Sequence, residues 1–216
     1  MNPEQNNDAR IKAVLFDLDG TLLDSFPMHY VVYETMFSQF GIAMSRELFL
    51  STYSPNWYRT YEAFGLAEEH WNAANDLWLN EAAKHAPELF PGVTDVLAGL
   101  NKCFALGIVT SGSKSRVIED LDRTGIAQLF KVVITAGDIS QLKPAPEGLE
   151  IAMRELSVAA SETVYIGDAH ADFEMARAAG VKFFGVPSEF ANLTDDHPDY
   201  DVHPLISLPG LICQLA

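Results

Sequence analysis

Short apolar runs, each cut off by a turn signal, recur along this chain, and between most of them the apolar positions fall at helical spacing. The first run is Ala13-Val14-Leu15-Phe16, which reads as a buried strand. The period then changes. Over residues 26–40, Val31, Val32, Met36, Phe37 and Phe40 recur as on a helix, and Gly41 suits its C-cap. A short helix is expected over 46–52. A second is opened by Trp57 and closed by Gly65, and a long one runs over 67–86 with Trp71, Ala74, Leu77 and Trp78 on one face. Nothing between Ser25 and Ala86 alternates as a strand should. A stretch of this length far exceeds an ordinary connection of ~2–6 residues, so it reads as a helical insertion. Its ends are Asp24-Ser25 and the turn-rich run from Pro87 to Gly92.

Beyond it, helix and strand alternate: helix 93–102, strand 104–110, helix 113–124 ended by Gly125, strand 132–135, and helix 146–156 with Pro146 in its first turn. Strand 163–166, an Ala-rich helix over 171–179 ended by Gly180, and strand 181–186 stopped by Pro187 follow. An edge strand near 200–202 and a helix from about Leu205 complete the pattern. Such alternation predicts an α/β fold: a doubly wound, Rossmann-like parallel sheet with helices on both faces. The expected division is a core of 1–24 and 87–216, with 25–86 as an inserted all-helical cap. Ligands in such sheets bind beyond the carboxyl ends of the strands, where strand order reverses.

Charge narrows the function. With 30 acidic against 14 basic residues the formal net charge is −16, which opposes nucleic acid and anionic membrane as partners. No apolar run nears the ~20 residues of a membrane span. Residues 1–10 lack the apolar core of a signal peptide and read as a frayed end. Cys103 and Cys213, each in an apolar segment, read as reduced, buried thiols of a cytoplasmic protein.

Four strand ends carry chemistry. After the first strand come Asp17-Leu18-Asp19-Gly20-Thr21. In an extended chain Asp17 and Asp19 project to one side, with Leu18 turned away. Two carboxylates so close ask for a shared proton or a hard cation, and all-oxygen ligation suits Mg²⁺. The alternative is an acidic turn that only caps a strand. The second end, Thr110-Ser111-Gly112-Ser113, offers hydroxyls and amides before a helix, fit for phosphate oxygens or for a plain N-cap by Ser111 or Ser113. The third leads to Lys143-Pro144, where a lysine near a helix start opposes the dipole unless it neutralises an anion. Taken alone, Lys143 would be a solvated surface residue. The fourth, Gly167-Asp168-Ala169-His170-Ala171-Asp172, supplies two more carboxylates, as metal ligands or as helix caps. Capping alone would have to explain all four ends together.

These motifs resemble the four signatures of the haloacid dehalogenase superfamily, in its phosphoglycolate-phosphatase-like and β-phosphoglucomutase-like branch with a helical cap. The resemblance spans about Val14 to Pro187. It implies that Asp17 is a nucleophile forming an aspartyl-phosphate, and that Asp19 transfers protons and offers its backbone carbonyl to Mg²⁺. It implies further that Asp168 completes the metal ligands, with Asp172 bound directly or through water. Leu18, Thr110, Ser111 and Gly112 would bind the phosphate, and Lys143 would pair with Asp17 and the transferring group. Asp19 argues for phosphoryl transfer, because the family's dehalogenases lack it.

The implied activity is hydrolysis of a small phosphorylated metabolite, phosphoglycolate-like or a sugar phosphate, by a monomer or homodimer. A phosphomutase would need a basic cap segment, and residues 41–84 hold only Arg46, Arg59 and Lys84 as Lys or Arg. A non-catalytic binding protein would have no use for the whole set. For specificity the candidates are Asn56, Trp57 and Arg59, with Arg59 pairing a substrate carboxylate; the alternative is that Trp57 is cap core and Arg59 solvated. His29, on the first cap helix, either faces the site or is incidental. Asp24 and Ser25 fall at the hinge.

Overall fold

In the computed structural model, which describes residues 10–188 and 201–215, Ala13–Phe16 is strand β1 and all its side chains are buried. The other strands are β2 (Leu23–Asp24), β3 (Glu88–Leu89), β4 (Ala105–Val109), β5 (Phe130–Ile134), β6 (Thr163–Gly167), β7 (Lys182–Gly185) and β8 (Asp201–Val202). Six of them form one sheet in the order β5-β4-β1-β6-β7-β8, and every pairing in it is parallel. The chain works outward from β1 through β4 to β5, then returns to the other side of β1 as β6. Strand order therefore reverses at β1, and the carboxyl end of β1 is the crevice such sheets offer to ligands.

The helices are α1 (Phe26–Gln39), α2 (Arg46–Thr52), α3 (Trp57–Ala63), α4 (Trp71–Ala82), α5 (Val93–Leu100), α6 (Lys114–Thr124), α7 (Glu147–Leu156), α8 (His170–Ala179) and α9 (Leu208–Cys213). Alternation along β1 sorts the core into two layers. Val14, Phe16 and Leu18 join a cluster with Val96 and Leu97 of α5 and Val117 and Leu121 of α6. Leu15 joins the opposite cluster, with Leu149 of α7 and Ala176 of α8. Each of these Val, Leu and Phe side chains, fully buried, contributes ~1.5–3 kcal/mol. The layer holding Leu15 and Val132 is packed so tightly that a Cβ on Gly107 of β4 would lie 2.5 Å from Val132 Cγ1 and 2.6 Å from Leu15 Cδ2. Helices α1 to α4 enclose a cluster of their own, in which Tyr33, Phe37, Phe49 and Tyr61 pack ring against ring.

Some expectations need correction. The long helix over 67–86 is shorter: Glu68–His70 is a 3-10 turn, and α4 ends at Ala82. Its inward stripe is Trp71, Ala74, Trp78 and Ala82, which leaves Leu77, about 100° from Trp78 around the axis, 38% exposed. The run after Pro87 is not only turn. Glu88–Leu89 pairs antiparallel with Leu23–Asp24, so β2 and β3 tie the two crossings between sheet and helices together. Two-residue strands are too short to alternate visibly in sequence. Both cysteines are free but exposed, not buried; Leu100 and Phe104 take the inward positions around Cys103, and Leu208 and Ile212 do so on α9. Apart from Arg10, the frayed end expected over 1–10 lies outside the described residues, as does Tyr200 of the expected edge strand.

Candidate active site

The chain leaves β1 at Asp17 and turns at Gly20, whose φ of +80° favours glycine. Gly20 N donates to Leu23 O at 2.9 Å, and the amides of Leu22 and Leu23 both donate to Leu18 O at 2.9 Å. The turn leaves Leu18 in the core, Asp17 buried and Asp19 beside a cavity. None of the described groups accepts from the Leu18 amide.

Asp17 sits in a buried charge cluster. Lys143 Nζ donates to Asp17 Oδ1 at 2.5 Å and lies 2.7 Å from Asp172 Oδ1. Lys143 is 2% exposed, which rules out a solvated surface lysine. The Tyr165 hydroxyl lies 3.0 Å from both Asp172 Oδ1 and the Val109 carbonyl, and Asp172 Oδ2 accepts from Ala169 N at 3.0 Å. Asp168 accepts from Thr21 Oγ1 at 3.1 Å and from Ser188 Oγ. One carboxylate oxygen from each of Asp17, Asp168 and Asp172 falls within 4.8 Å of the others.

Burial pushes the Asp17 carboxyl up; Lys143 offsets part of this, Asp172 adds to it, and the result is about 7. Burial, followed by the charges of Asp17 and Asp172, holds Asp168 well above the usual carboxylate range. For Lys143, burial would lower the ammonium, but Asp17 and Asp172 more than offset it and keep the charge. Three buried carboxylates against one ammonium leave an excess of negative charge that a hard divalent cation would neutralise, and an all-oxygen donor set fits Mg²⁺. Asp172 already meets Lys143, Tyr165 and an amide, so it orders the cluster from behind.

Asp19 does not join this cluster. Its carboxylate is gripped by Arg116, with Nη1 3.1 Å from Oδ1 and Nη2 on Oδ2, and His29 Nε2 lies 3.4 Å from Oδ1. Asp17 and Asp19 both border the cavity, as their spacing predicts, but their carboxylates have different neighbours: Asp17 meets Lys143, and Asp19 meets Arg116 and His29. Burial would raise the Asp19 carboxyl, yet Arg116 and His29 hold it well below the usual range.

At the end of β4, Thr110 is buried and its Oγ1 accepts from Gly112 N at 3.2 Å. Ser113 stands at the N-cap of α6, but its hydroxyl makes no capping bond. The hydroxyls of Ser111 and Ser113 are buried and unpartnered among the described residues, so plain capping does not explain them.

A cavity of about 210 Å³ joins these parts. Its core wall includes Asp17, Asp19, Thr110, Ser111, Gly112, Ser113, Arg116 and Asp168. Its opposite wall comes from helices α1, α3 and α4 and the segment leading into α3. Of the three specificity candidates, Trp57 lines the cavity; Asn56 and Arg59 do not, and Arg59 is exposed. The intervening turn puts Trp57 and Arg59 on different sides of α3. Tyr53, Ser54 and Pro55, which open the segment from Tyr53 to Arg59 expected to set specificity, line the site with Trp57, as do Arg116, His29 and Trp78, to which sequence reasoning gave no role at the site or left it open. Arg116 lies one turn into α6, six residues past Thr110, where it reads as an ordinary helix-surface arginine.

The family model described as haloacid dehalogenase-like hydrolase matches residues 14–186. The chain is 29% identical over 216 residues to pyrophosphatase PpaX of Oceanobacillus iheyensis, covering 93% of this chain and 97% of that one. It is 28% identical over 224 residues to phosphoglycolate phosphatase of Yersinia pseudotuberculosis, covering 93% and 95%. In structure it is similar to a phosphoglycolate phosphatase candidate from Lactobacillus plantarum, with a TM-score of 0.85 and 25% identity over 96% of this chain and 100% of that one.

Proposed function

The chain belongs to the haloacid dehalogenase-like hydrolase family, and from that premise we propose that it is a Mg²⁺-dependent phosphatase of a small phosphorylated metabolite, acting in the cytoplasm through an aspartyl-phosphate. The observation that carries the reading is the buried contact of Lys143 with Asp17 at the floor of the cavity. Relatives named pyrophosphatase and phosphoglycolate phosphatase support phosphate release as the reaction class.

In this reading an oxygen of Asp17 attacks phosphorus and the ester P–O bond breaks. The departing alkoxide takes a proton from Asp19. Water then attacks the phosphorus of the aspartyl-phosphate, Asp19 takes the proton of that water, and Asp17 is restored as inorganic phosphate leaves. Lys143 stabilises negative charge on the transferring group. Ser111, Ser113 and the Leu18 amide supply donors to its oxygens, with Thr110 setting the loop. Asp17, Asp168 and the Asp19 carbonyl would hold Mg²⁺, which when bound neutralises phosphate charge and draws the anionic substrate to a carboxylate nucleophile. Arg116 and His29 keep Asp19 in the form that accepts a proton. The acid role requires Asp19 to be protonated as substrate displaces these partners.

We read residues 25–86 as the cap that selects the leaving group and excludes water, hinged at β2 and β3. A phosphomutase would need cations for a second phosphate, and Arg116 is the one Lys or Arg among the described cavity residues. The test is phosphate release from a panel of phosphomonoesters with Mg²⁺ or with EDTA. Asp17→Asn is expected to lower the rate at least about a hundredfold. A variant that keeps its rate would overturn the mechanism.

A further inference from the structure

Two walls of unlike chemistry meet in the cavity. Opposite the carboxylates and hydroxyls stand Tyr33, Tyr53, Trp57, Tyr61 and Trp78. Other polar tips of the same helices find partners: Trp71 Nε1 donates to Leu66 O at 3.1 Å, and within the wall itself the Tyr61 hydroxyl donates to Asn75 Oδ1 at 2.8 Å. The indole N–H groups of Trp57 and Trp78 are different. Both are buried, both belong to cavity-lining residues, and neither has an acceptor among the described residues. An orphaned buried donor costs stability, and phenylalanine would pack there without that cost. Two such donors on one wall point to a ligand that brings acceptors.

Charge gives a second, independent observation. Asp17, Asp19 and Asp168 line the cavity, and the one Lys or Arg among its described residues, Arg116, has both terminal nitrogens engaged: Nη1 meets Asp19 and Asp120 at 3.1 Å each, and Nη2 meets Asp19. A leaving group with its own carboxylate or phosphate would meet three carboxylates beside a guanidinium whose terminal nitrogens are already held by Asp19 and Asp120, with only the buried Arg116 Nε without a partner among the described residues.

We propose that the leaving group is an uncharged alcohol bearing a flat ring with hydrogen-bond acceptors, as in a nucleoside 5′-phosphate. The proposal rests on the phosphatase reading above, which puts phosphorus at Asp17 and so directs the alcohol to the aromatic wall. The ring stacks on that wall, which tolerates different ring systems because each has a π face. The acceptors meet the two indole N–H groups. The wall's phenols keep their protons, since burial holds Tyr33 and Tyr53 well above the ordinary value.

The experiment compares kcat/KM, with Mg²⁺, for uridine 5′-phosphate, adenosine 5′-phosphate, ribose 5-phosphate, phosphoglycolate, pyrophosphate and p-nitrophenyl phosphate. The nucleotides are expected to exceed ribose 5-phosphate and phosphoglycolate by about tenfold or more. Trp78→Phe and Trp57→Phe, which keep a ring and remove the N–H, should each raise KM for the nucleotides about fivefold, a larger change than for ribose 5-phosphate. Turnover of phosphoglycolate, pyrophosphate or ribose 5-phosphate at or above the nucleotide rate would overturn the proposal while the phosphatase reading stands. So would Trp variants that slow all substrates alike. No phosphate release from any member would overturn the phosphatase reading and this proposal with it.

Discussion

The Arg116 guanidinium holds both carboxylate oxygens of Asp19 across 97 residues of chain, reaching from α6 back to the first turn after β1. It also lies 6.0 Å from the Trp78 ring of α4, so one side chain touches the proposed proton-transfer group and the wall above it. A planar fork suits this task and an ammonium does not. Arg116→Ala is therefore expected to lower kcat about a hundredfold with a smaller change in KM, and Arg116→Lys to recover little of it. Initial rates on the best panel substrate check this, and full recovery by lysine would remove the need for the fork.

Lys143 is flanked by Asp17 and Asp172, and all three are buried. Lys143→Met fits the space but leaves the carboxylates without their cation. Breaking a buried pair in this way costs about 3–5 kcal/mol. The loss should be largest at pH 8 without metal and smaller at pH 5, where Asp17, whose carboxyl burial pushes up to about 7, takes up a proton instead. Urea unfolding in EDTA at the two pH values reads the difference, and equal losses would argue against a charge effect.

Asp17 also sets a pH dependence whose sign is fixed. Its carboxyl lies near 3.8 when unfolded and about 7 when folded, because burial outweighs the help from Lys143. Between these values the folded state holds the extra proton, so stability falls as pH rises from about 4 through 7. The full contribution is on the order of 4 kcal/mol. In EDTA the wild type should lose stability across this window relative to Asp17→Asn. Mg²⁺ should raise the wild-type melting temperature more at pH 8 than at pH 6, because the cation competes with the proton. A Mg²⁺ effect that does not grow with pH would disconnect the cation from these carboxylates.

The sheet was legible because each of its main strands is a short apolar run stopped by a turn residue, and because the motifs fall where those runs end. Asp17, Lys143 and Asp168 could be brought together on paper by the rule that such sheets bind ligands at their carboxyl ends. What remained hidden is what that rule does not reach. Arg116 is separated from Asp19 by 97 residues, and only the packing of α6 on the sheet decides which of its side chains meets the turn. His29 could be placed on α1 but not on the face that meets Asp19. By sequence Arg59 is the natural cation of the cap, yet its position on α3 leaves it exposed. The two-residue ribbon of β2 and β3 carries no periodic signal at all.

Gly167 ends β6 against Asp172, and the fit leaves no room for a side chain. A Cβ there would lie 2.6 Å from Asp172 Cβ and Cγ and 2.7 Å from Oδ2. Asp172 cannot retreat without loosening its bonds to Ala169 N, Tyr165 and Lys143. Gly167→Ala should therefore destabilise the fold by about 1–3 kcal/mol through overpacking. It should also lower kcat by about tenfold or more, because Lys143 moves with Asp172 and a small misplacement is costly in rate. Gly99→Ala in the last turn of α5 is the matched control: its Cβ meets nothing within 4 Å, and the change should stabilise by up to about 0.5–1 kcal/mol with no effect on rate. Thermal unfolding and initial rates on both variants separate a local clash at the site from a general intolerance of added volume. If Gly167→Ala kept its rate while losing stability, Asp172 would be a structural support without influence on Lys143.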